Sequence, residues 1–341
     1  TPTPGQPDHA ARAADAVEVL QRWYSRRTGL WRSTGWWNAA NALIAVTGYM
    51  RATGDRAYLD VIANTFRAAG RKHPGFVNEY FDDNGWWGLA WVAAHDLTGH
   101  DQYLTAAQAV FRHNLAGWDG TCGGTWWNTS RRYKNAVTNE LFLLLAGLLA
   151  QRAGGQGTGG AAAGREYRDW ALRAWDWLDG SGMINPAGLI NDGLTAGCVN
   201  NGGTTWTYNQ GVILGGLLTL SELTGEDGYR RRAQQIADAA LRTLTSPDGI
   251  LTEPSEPAGT DGDQTQFKGI FVRYLGQLQQ AGASPAYRDF LLANADSAWA
   301  RARNEAGQFG VRWAGPFDKA DASRQSSALE LLTAAALAAG H

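Results

Sequence analysis

The run Phe81-Asp82-Asp83-Asn84-Gly85-Trp86-Trp87 sets two carboxylates side by side just ahead of an apolar, helix-periodic stretch. Cleavage of a glycosidic bond commonly uses such a pair: one carboxyl is ionised, to attack or to orient water, and the other is protonated, to donate to the leaving oxygen. Like charges held close together push one pKa up and supply that split. Neighbouring Cα atoms lie about 3.8 Å apart, so the two carboxyl groups can approach the roughly 5–5.5 Å separation of retaining enzymes. They can equally diverge. The plainer reading is a helix cap, which any single Asp ahead of a helix satisfies. Two Asp followed by Asn, Gly and two Trp exceed what a cap requires.

Other acids compete with the pair. Glu140 lies inside Asn139-Glu140-Leu141-Phe142, where a buried carboxyl needs a partner. Lys134 or a Tyr is the expected one, and Glu140 reads as structural or ligand-orienting. Asp192, in Ile190-Asn191-Asp192-Gly193, reads as a turn residue, a contact to a sugar hydroxyl or an assisting acid. Asp261 and Asp263 fall in a Gly-rich loop, where turn chemistry is the ordinary role. The six His contain no His-Glu-x-x-His, and two Cys exclude both a disulfide framework and a four-Cys zinc site. Gly155-x-Gly157-x-x-Gly160 has dinucleotide-fingerprint spacing but follows a helix rather than the required strand. Asn128-Thr129-Ser130 matches a glycosylation acceptor and carries little weight.

The elements that must hold these residues are helical. A punctuation recurs as TGDRAYL at Thr53, TGHDQYL at Thr98 and TGEDGYR at Thr224, with a looser GASPAYR at Gly282. Gly supplies a left-handed stop, the following Asp can cap the next helix, and the Tyr anchors it. Helical periodicity marks twelve segments. An Arg- and Ala-rich amphipathic set covers 8–28, 55–70, 101–117, 165–180, 227–245 and 285–303. A second set, poor in charge on every face, covers 35–52, 85–97, 134–152, 207–223, 265–280 and 322–339. The sets alternate, so six hairpins with one set inside make an all-α (α/α)6 barrel. The long loops, about 71–84, 118–133, 181–206, 246–264 and 304–321, all precede inner helices. That end collects the aromatic, amide and carboxylate residues, at the positive ends of the inner helix dipoles.

Composition agrees. Thirty Lys+Arg against 32 Asp+Glu leave a net charge of −2, which argues against nucleic-acid binding and electrostatic membrane binding. Sixteen Trp suit stacking on flat, uncharged faces such as those of sugars, although a Trp-rich core uses the same rings. One ring of each adjacent Trp pair can face a cleft while the other packs between helices. Cys122 and Cys198 fall in two long loops at the same end, where they form one bridge or remain two thiols. No stretch is long and apolar enough to span a bilayer. Residues 1–7 read as a flexible leader and 8–341 as one catalytic domain. The chain is expected to be a secreted monomer, with no signal peptide or anchor tail in it.

The segments FDDNGWWGLAWVAAHDLTG, CGGTWWNTSRRYKNAVTNELFLLL, TYNQGVILGGL and DGDQTQFKGIFVRYL resemble glycoside hydrolase family 76, the bacterial endo-α-1,6-mannanases and their fungal cell-wall relatives. The resemblance runs from about Trp36 to Leu275. It implies an (α/α)6 barrel, α-1,6-linked mannan or manno-oligosaccharide as substrate, a retaining double displacement with Asp82 as nucleophile and Asp83 as acid/base, and no metal or cofactor. Asn38, Trp86, Trp87, Trp127, Asp192, Tyr208, Gln264 and Lys268 are the implied subsite residues. The alternatives are an unsaturated glycuronyl hydrolase, a mannan transglycosylase, or a non-catalytic mannan-binding protein. An enzyme of anionic sugars would want several cleft Arg, and Arg131 and Arg132 are the main loop-end pair. A binder has no reason to keep two mutually repelling carboxylates.

Overall fold

The computed structural model describes residues 5–154, 160–282 and 284–340. The first part of the expected leader and the Gly155–Gly157 portion of the fingerprint-like run lie outside them. Among the described residues there are twelve α-helices. They are α1 His9–Gln21, α2 Trp36–Thr53, α3 Leu59–Ala69, α4 Phe81–Thr98, α5 Asp101–Asn114, α6 Ala136–Arg152, α7 Gly160–Gly180, α8 Thr207–Thr224, α9 Asp227–Thr243, α10 Phe267–Gln280, α11 Pro285–Arg301 and α12 Ala322–Ala338. The even-numbered set is buried on nearly every face, whereas odd-numbered helices such as α3 and α5 keep a polar side outward. That is the alternation an (α/α)6 fold requires.

The recurrent Thr-Gly punctuation works as a double hook. Thr53, Thr98 and Thr224 each donate the hydroxyl back to a carbonyl four residues earlier, at 2.8 Å in all three. The same hydroxyls accept from the N–H of Asp55, His100 and Glu226. Gly54, Gly99 and Gly225 between them take φ of 77°, 72° and 73°, the left-handed stop. The Tyr that follows anchors the second copy most firmly: Tyr103 is buried and stacks on Trp91 at 5.4 Å.

Several boundaries differ from the sequence pattern: α3 starts at Leu59 rather than 55 and α7 at Gly160 rather than 165, and two further differences shape the loops. The first helix ends at Gln21 rather than near 28, and a short hairpin follows, β1 Tyr24–Ser25 with β2 Leu30–Trp31. Gly29 closes that turn with φ 68°, and a Cβ there would lie 2.8 Å from the Ala69 backbone nitrogen. The fourth helix begins at Phe81, one turn earlier than the helical periodicity marked, so the Asp pair lies in its first turn rather than ahead of it.

Contacts divide the chain into two compact units, 1–72 with 240–341, and 73–239. In the first, α12 packs between α2 and α10, with α1 and α11 also against it. In the second, α6 packs between α4 and α8; α5 covers α4, and α7 covers α6. The interhelical fit in this second unit uses glycines at close approaches, as where Gly85 of α4 meets the Leu141 side chain of α6.

Candidate active site

Three loops precede α4, α6 and α8 in the second unit, and their backbones are stitched to one another. Tyr80 bridges Asn128, and Asn135 bridges Gly193. The Phe81 N–H donates to the Trp127 carbonyl at 2.9 Å, and the Ala136 N–H to the Asp192 carbonyl at 2.8 Å. The loop ahead of α6 therefore carries Trp127 to the start of α4 and Tyr133 to the loop ahead of α8.

Both carboxylates of the pair are half-buried at the positive end of α4. Asp82 accepts the Asp83 N–H at 2.9 Å on one oxygen and the Trp127 indole N–H at 3.1 Å on the other. Loss of water, then the charge on Asp83, raises the Asp82 carboxyl well above the usual carboxylate range, while those two donors oppose the rise. The pair thus holds a proton where isolated carboxyls would have released it.

A chain of amides holds Asp83. The Asn78 side-chain amide donates to Asp83 at 2.9 Å, while its own oxygen accepts the Tyr80 N–H at 2.8 Å. Asn84 Oδ1 accepts the Asn78 N–H at 2.8 Å. Its amide donates to Asn114 Oδ1 at 3.2 Å, and Asn114 donates on to the Phe81 carbonyl at 2.9 Å. These bonds bend the chain into α4 at Phe81. Asn78 and Asn114 escaped the sequence reading because single amides outside any motif carry no spacing signal.

Trp127 is half-buried between two tyrosines, Tyr80 at 5.2 Å and Tyr133 edge-on at 6.3 Å. The Tyr133 hydroxyl donates to Asp192 in a very short bond and accepts from the Asn201 amide at 3.1 Å. Burial, then the bond to Asp192, pushes the Tyr133 phenol above its ordinary value. Burial also pushes Asp192 up, against hydrogen bonds from Tyr133 and Trp206.

The Trp pairs resolve unevenly. Trp87 is fully buried against Phe76 and Trp91, with ring centroids 5.1 and 5.8 Å away. Trp86 is 1% exposed and lies nearly parallel to the half-buried Tyr208, at 6.5 Å. Both were implied as subsite residues, and both rings are instead buried. Trp126 is buried too, its N–H donating to Asp119 at 2.7 Å.

Asp119 also accepts from Lys134 at 2.7 Å and from Arg131 at 3.1 Å. Lys134 completes its shell with the carbonyls of Gly123 and Gly124, at 2.7 and 2.9 Å. It is therefore not the partner expected for Glu140. Burial instead holds the Glu140 carboxyl well above its usual range, favouring the neutral acid. Cys122 and Cys198 are joined by a disulfide that links the loops ahead of α6 and α8.

Asn38, Gln264 and Lys268 belong to the first unit. Asn38 is buried and donates to Gln266 at 3.3 Å. Gln264 is half-buried beside Asp263, which accepts the Trp37 indole N–H at 2.8 Å. Lys268 was expected to meet substrate, yet it is 1% exposed. It pairs with Glu256 at 3.1 Å and lies 4.5 Å from the Trp313 ring centre, so its ammonium is consumed internally. Asp261 is exposed and paired with Lys319. Among the described residues no group of three or more His, Cys, Asp or Glu is placed to hold a metal ion.

Comparison with known proteins bears on this geometry. The model of Glycosyl hydrolase family 76 matches residues 9–340. A mannan endo-1,6-α-mannosidase of Saccharomyces cerevisiae is 30% identical over 72% of this chain, which spans 58% of that relative's length. Another, of Candida albicans, is 28% identical over 88% of this chain and 72% of its own. An inactive variant of an α-1,6-mannanase from a Salegentibacter species, solved in complex with α-1,6-mannotetrose, superposes with a TM-score of 0.86 at 25% identity. That match covers 97% of this chain and all of the other. The fold class is accordingly (α/α)6.

Proposed function

The chain belongs to glycosyl hydrolase family 76, and from that premise we propose that it is an endo-acting α-1,6-mannanase that cleaves the backbone of microbial mannan by retaining double displacement. The observation that carries the reading is the Asp82–Asp83 pair in the first turn of α4, with different donors on each member. The pair retains one proton between its members, and the mechanism requires it on Asp83; the two N–H donors on Asp82 favour charge there against the burial that raises that carboxyl.

In the first step an Asp82 oxygen attacks the anomeric carbon while Asp83 gives its proton to the glycosidic oxygen. The carbon–oxygen bond to the leaving sugar breaks as the glycosyl–Asp82 ester forms. Asp83, now ionised, takes a proton from water; the water oxygen attacks the same carbon and releases Asp82. Two inversions give net retention. The indole N–H of Trp127 and the N–H of Asp83 hold negative charge on Asp82, which suits the attacking role. The Asn78 amide holds Asp83 in place while its proton comes and goes. The scheme uses no cofactor.

Within the second unit, Trp127, Asp192 and Tyr208 remain subsite candidates; Asn38 and Gln264, of the first unit, are candidates on the family resemblance alone. Trp86, Trp87 and Lys268 are no longer candidates, because their side chains are taken up by the core. We further propose residues 8–341 as one catalytic domain, supported by the single family match over 9–340, and a monomer, supported by the polar outer faces of helices such as α3 and α5. Extracellular action is supported by the disulfide, and no described helix is long and apolar enough to cross a membrane.

The test is a time course on linear α-1,6-mannan with Asp83→Asn run beside the parent. A ladder of oligosaccharides that forms early, and not with the variant, supports the proposal. No products, with a change in Trp fluorescence on adding mannan, would turn the reading to a binder. Products longer than the starting chain would turn it to a transglycosylase.

A further inference from the structure

We propose that Tyr133 and Asp192 form a clasp that positions Trp127 against Asp82, so that Asp192 supports the catalytic pair through that ring. The inference rests on the reading of Asp82 as nucleophile. It starts from four linked observations. Tyr133 gives its hydroxyl proton to Asp192 across 59 residues of sequence. Its ring stands edge-on to Trp127, at 79° between planes. The Trp127 N–H donates to the Tyr133 carbonyl at 2.8 Å, which folds the two residues onto one another. The indole N–H then reaches Asp82 at 3.1 Å.

The surroundings are shaped round that clasp. A Cβ on Gly193 would lie 2.3 Å from the Tyr133 hydroxyl oxygen, and one on Gly203 would lie 2.9 Å from the Asp192 Cβ. The Asn201 amide adds a second donor to the same hydroxyl at 3.1 Å. A phenol and an indole N–H on the Asp192 carboxylate fix its orientation and use about half of its roughly four acceptor sites. A ring locked on both edges loses little freedom when it aims its N–H, and aim is what a charge-assisted bond to Asp82 needs. The titratable groups around the chain of contacts are Asp83 beside Asp82, and Glu140 of α6 beside Asp192. Burial keeps Glu140 toward its neutral form, so it adds little charge to the clasp.

The experiment compares Tyr133→Phe, Trp127→Phe and the double variant, with kcat and KM on a defined α-1,6-manno-oligosaccharide from pH 3 to 8. The Trp127 indole N–H signal is followed by NMR and assigned by its loss in Trp127→Phe. Loosening the indole N–H destabilises ionised Asp82, so the acidic limb of kcat/KM must move to higher pH. Tyr133→Phe is expected to lower kcat about tenfold, one bond's worth, and to move that limb upward. KM stays within about twofold, as for an interaction not spent on ground-state binding. The indole signal shifts, and the double variant is no worse than Trp127→Phe alone. A raised KM with an unmoved limb would overturn the clasp in favour of a sugar contact, as would additive losses in the double variant. Because the indole signal needs no turnover, an unshifted signal in Tyr133→Phe refutes the clasp even if Asp82 proves not to be the nucleophile. Retained activity in Asp82→Asn, with the signal shifted, refutes only the nucleophile assignment.

Discussion

Replacing Asp119 by Asn removes one charge from the knot that holds the loop bearing Trp127. Against the push of burial, hydrogen bonds from Lys134, Trp126 and the Thr121 N–H bring the Asp119 carboxyl down to about 2. The unfolded value is near 3.9, and each unit is worth about 1.4 kcal/mol, so full retention of the shift gives roughly 2.5 kcal/mol. Asp119 is about a quarter exposed, and screening trims this toward 2 kcal/mol. Lys134, only 2% exposed, keeps its charge but loses its counter-ion; that is largely the same pair interaction seen from its other partner, so it adds at most about 1 kcal/mol. A net loss of about 2–3 kcal/mol follows. Unfolding entropy of about 2.1 cal/mol/K per residue over 341 residues converts that to a fall in Tm of roughly 3–4 °C. The sign of the pH dependence is fixed by a depressed folded-state pKa. The stabilisation is full above about pH 4 and disappears as pH falls toward 2. Urea titrations of both proteins at pH 7, 5, 4 and 3 measure it. The gap in free energy is expected to be constant from pH 7 to 5 and about half as large at pH 3. A gap below about 0.5 kcal/mol at pH 7, or one that does not narrow in acid, refutes the reasoning.

Asp82→Asn and Asp83→Asn are each expected to lose at least about 100-fold in kcat while keeping the helical circular dichroism of the parent; near-parental turnover in either rejects its role. Lys268→Met is expected to cost about 3 kcal/mol in urea, because it strands Glu256, yet to leave KM within about twofold; a large rise in KM restores Lys268 as a sugar contact. Cys122→Ser with Cys198→Ser opens a loop of 76 residues, for which chain entropy gives about 4 kcal/mol. Tm is expected to fall by several degrees, and an unchanged Tm denies the bridge its stabilising role.

Much of the fold was legible because burial imposes periodicity. Helices poor in charge on every face alternate with amphipathic ones, and the Thr-Gly hook repeats at fixed places. The Asp pair was legible because two adjacent carboxylates ahead of an apolar stretch are costly without a use. What stayed hidden depends on long-range geometry. Which Trp of a pair faces inward depends on helix rotation, and at 86 and 87 both rings turned out to be needed for packing. Lys268 was a subsite residue only as the family resemblance implied it, while Glu256 and Trp313 that enclose it lie 12 and 45 residues away. The Tyr133–Asp192 bond has no local trace at all, and the Asn78 amide is ordinary until α4 begins at Phe81.

The two stitches, Tyr80 to Asn128 and Asn135 to Gly193, also govern where the chain can be edited. Between them, Thr129, Ser130, Arg131 and Arg132 form an exposed tip. Its ends are pinned, the Thr129 N–H to the Glu79 carbonyl at 3.0 Å and the Trp127 N–H to the Tyr133 carbonyl at 2.8 Å. Lengthening or recomposing the tip leaves those pins in place. The side chains of Thr129, Ser130 and Arg132 can therefore be exchanged, with Arg131 left on Asp119, while the backbone bonds that seat Trp127 stay in place.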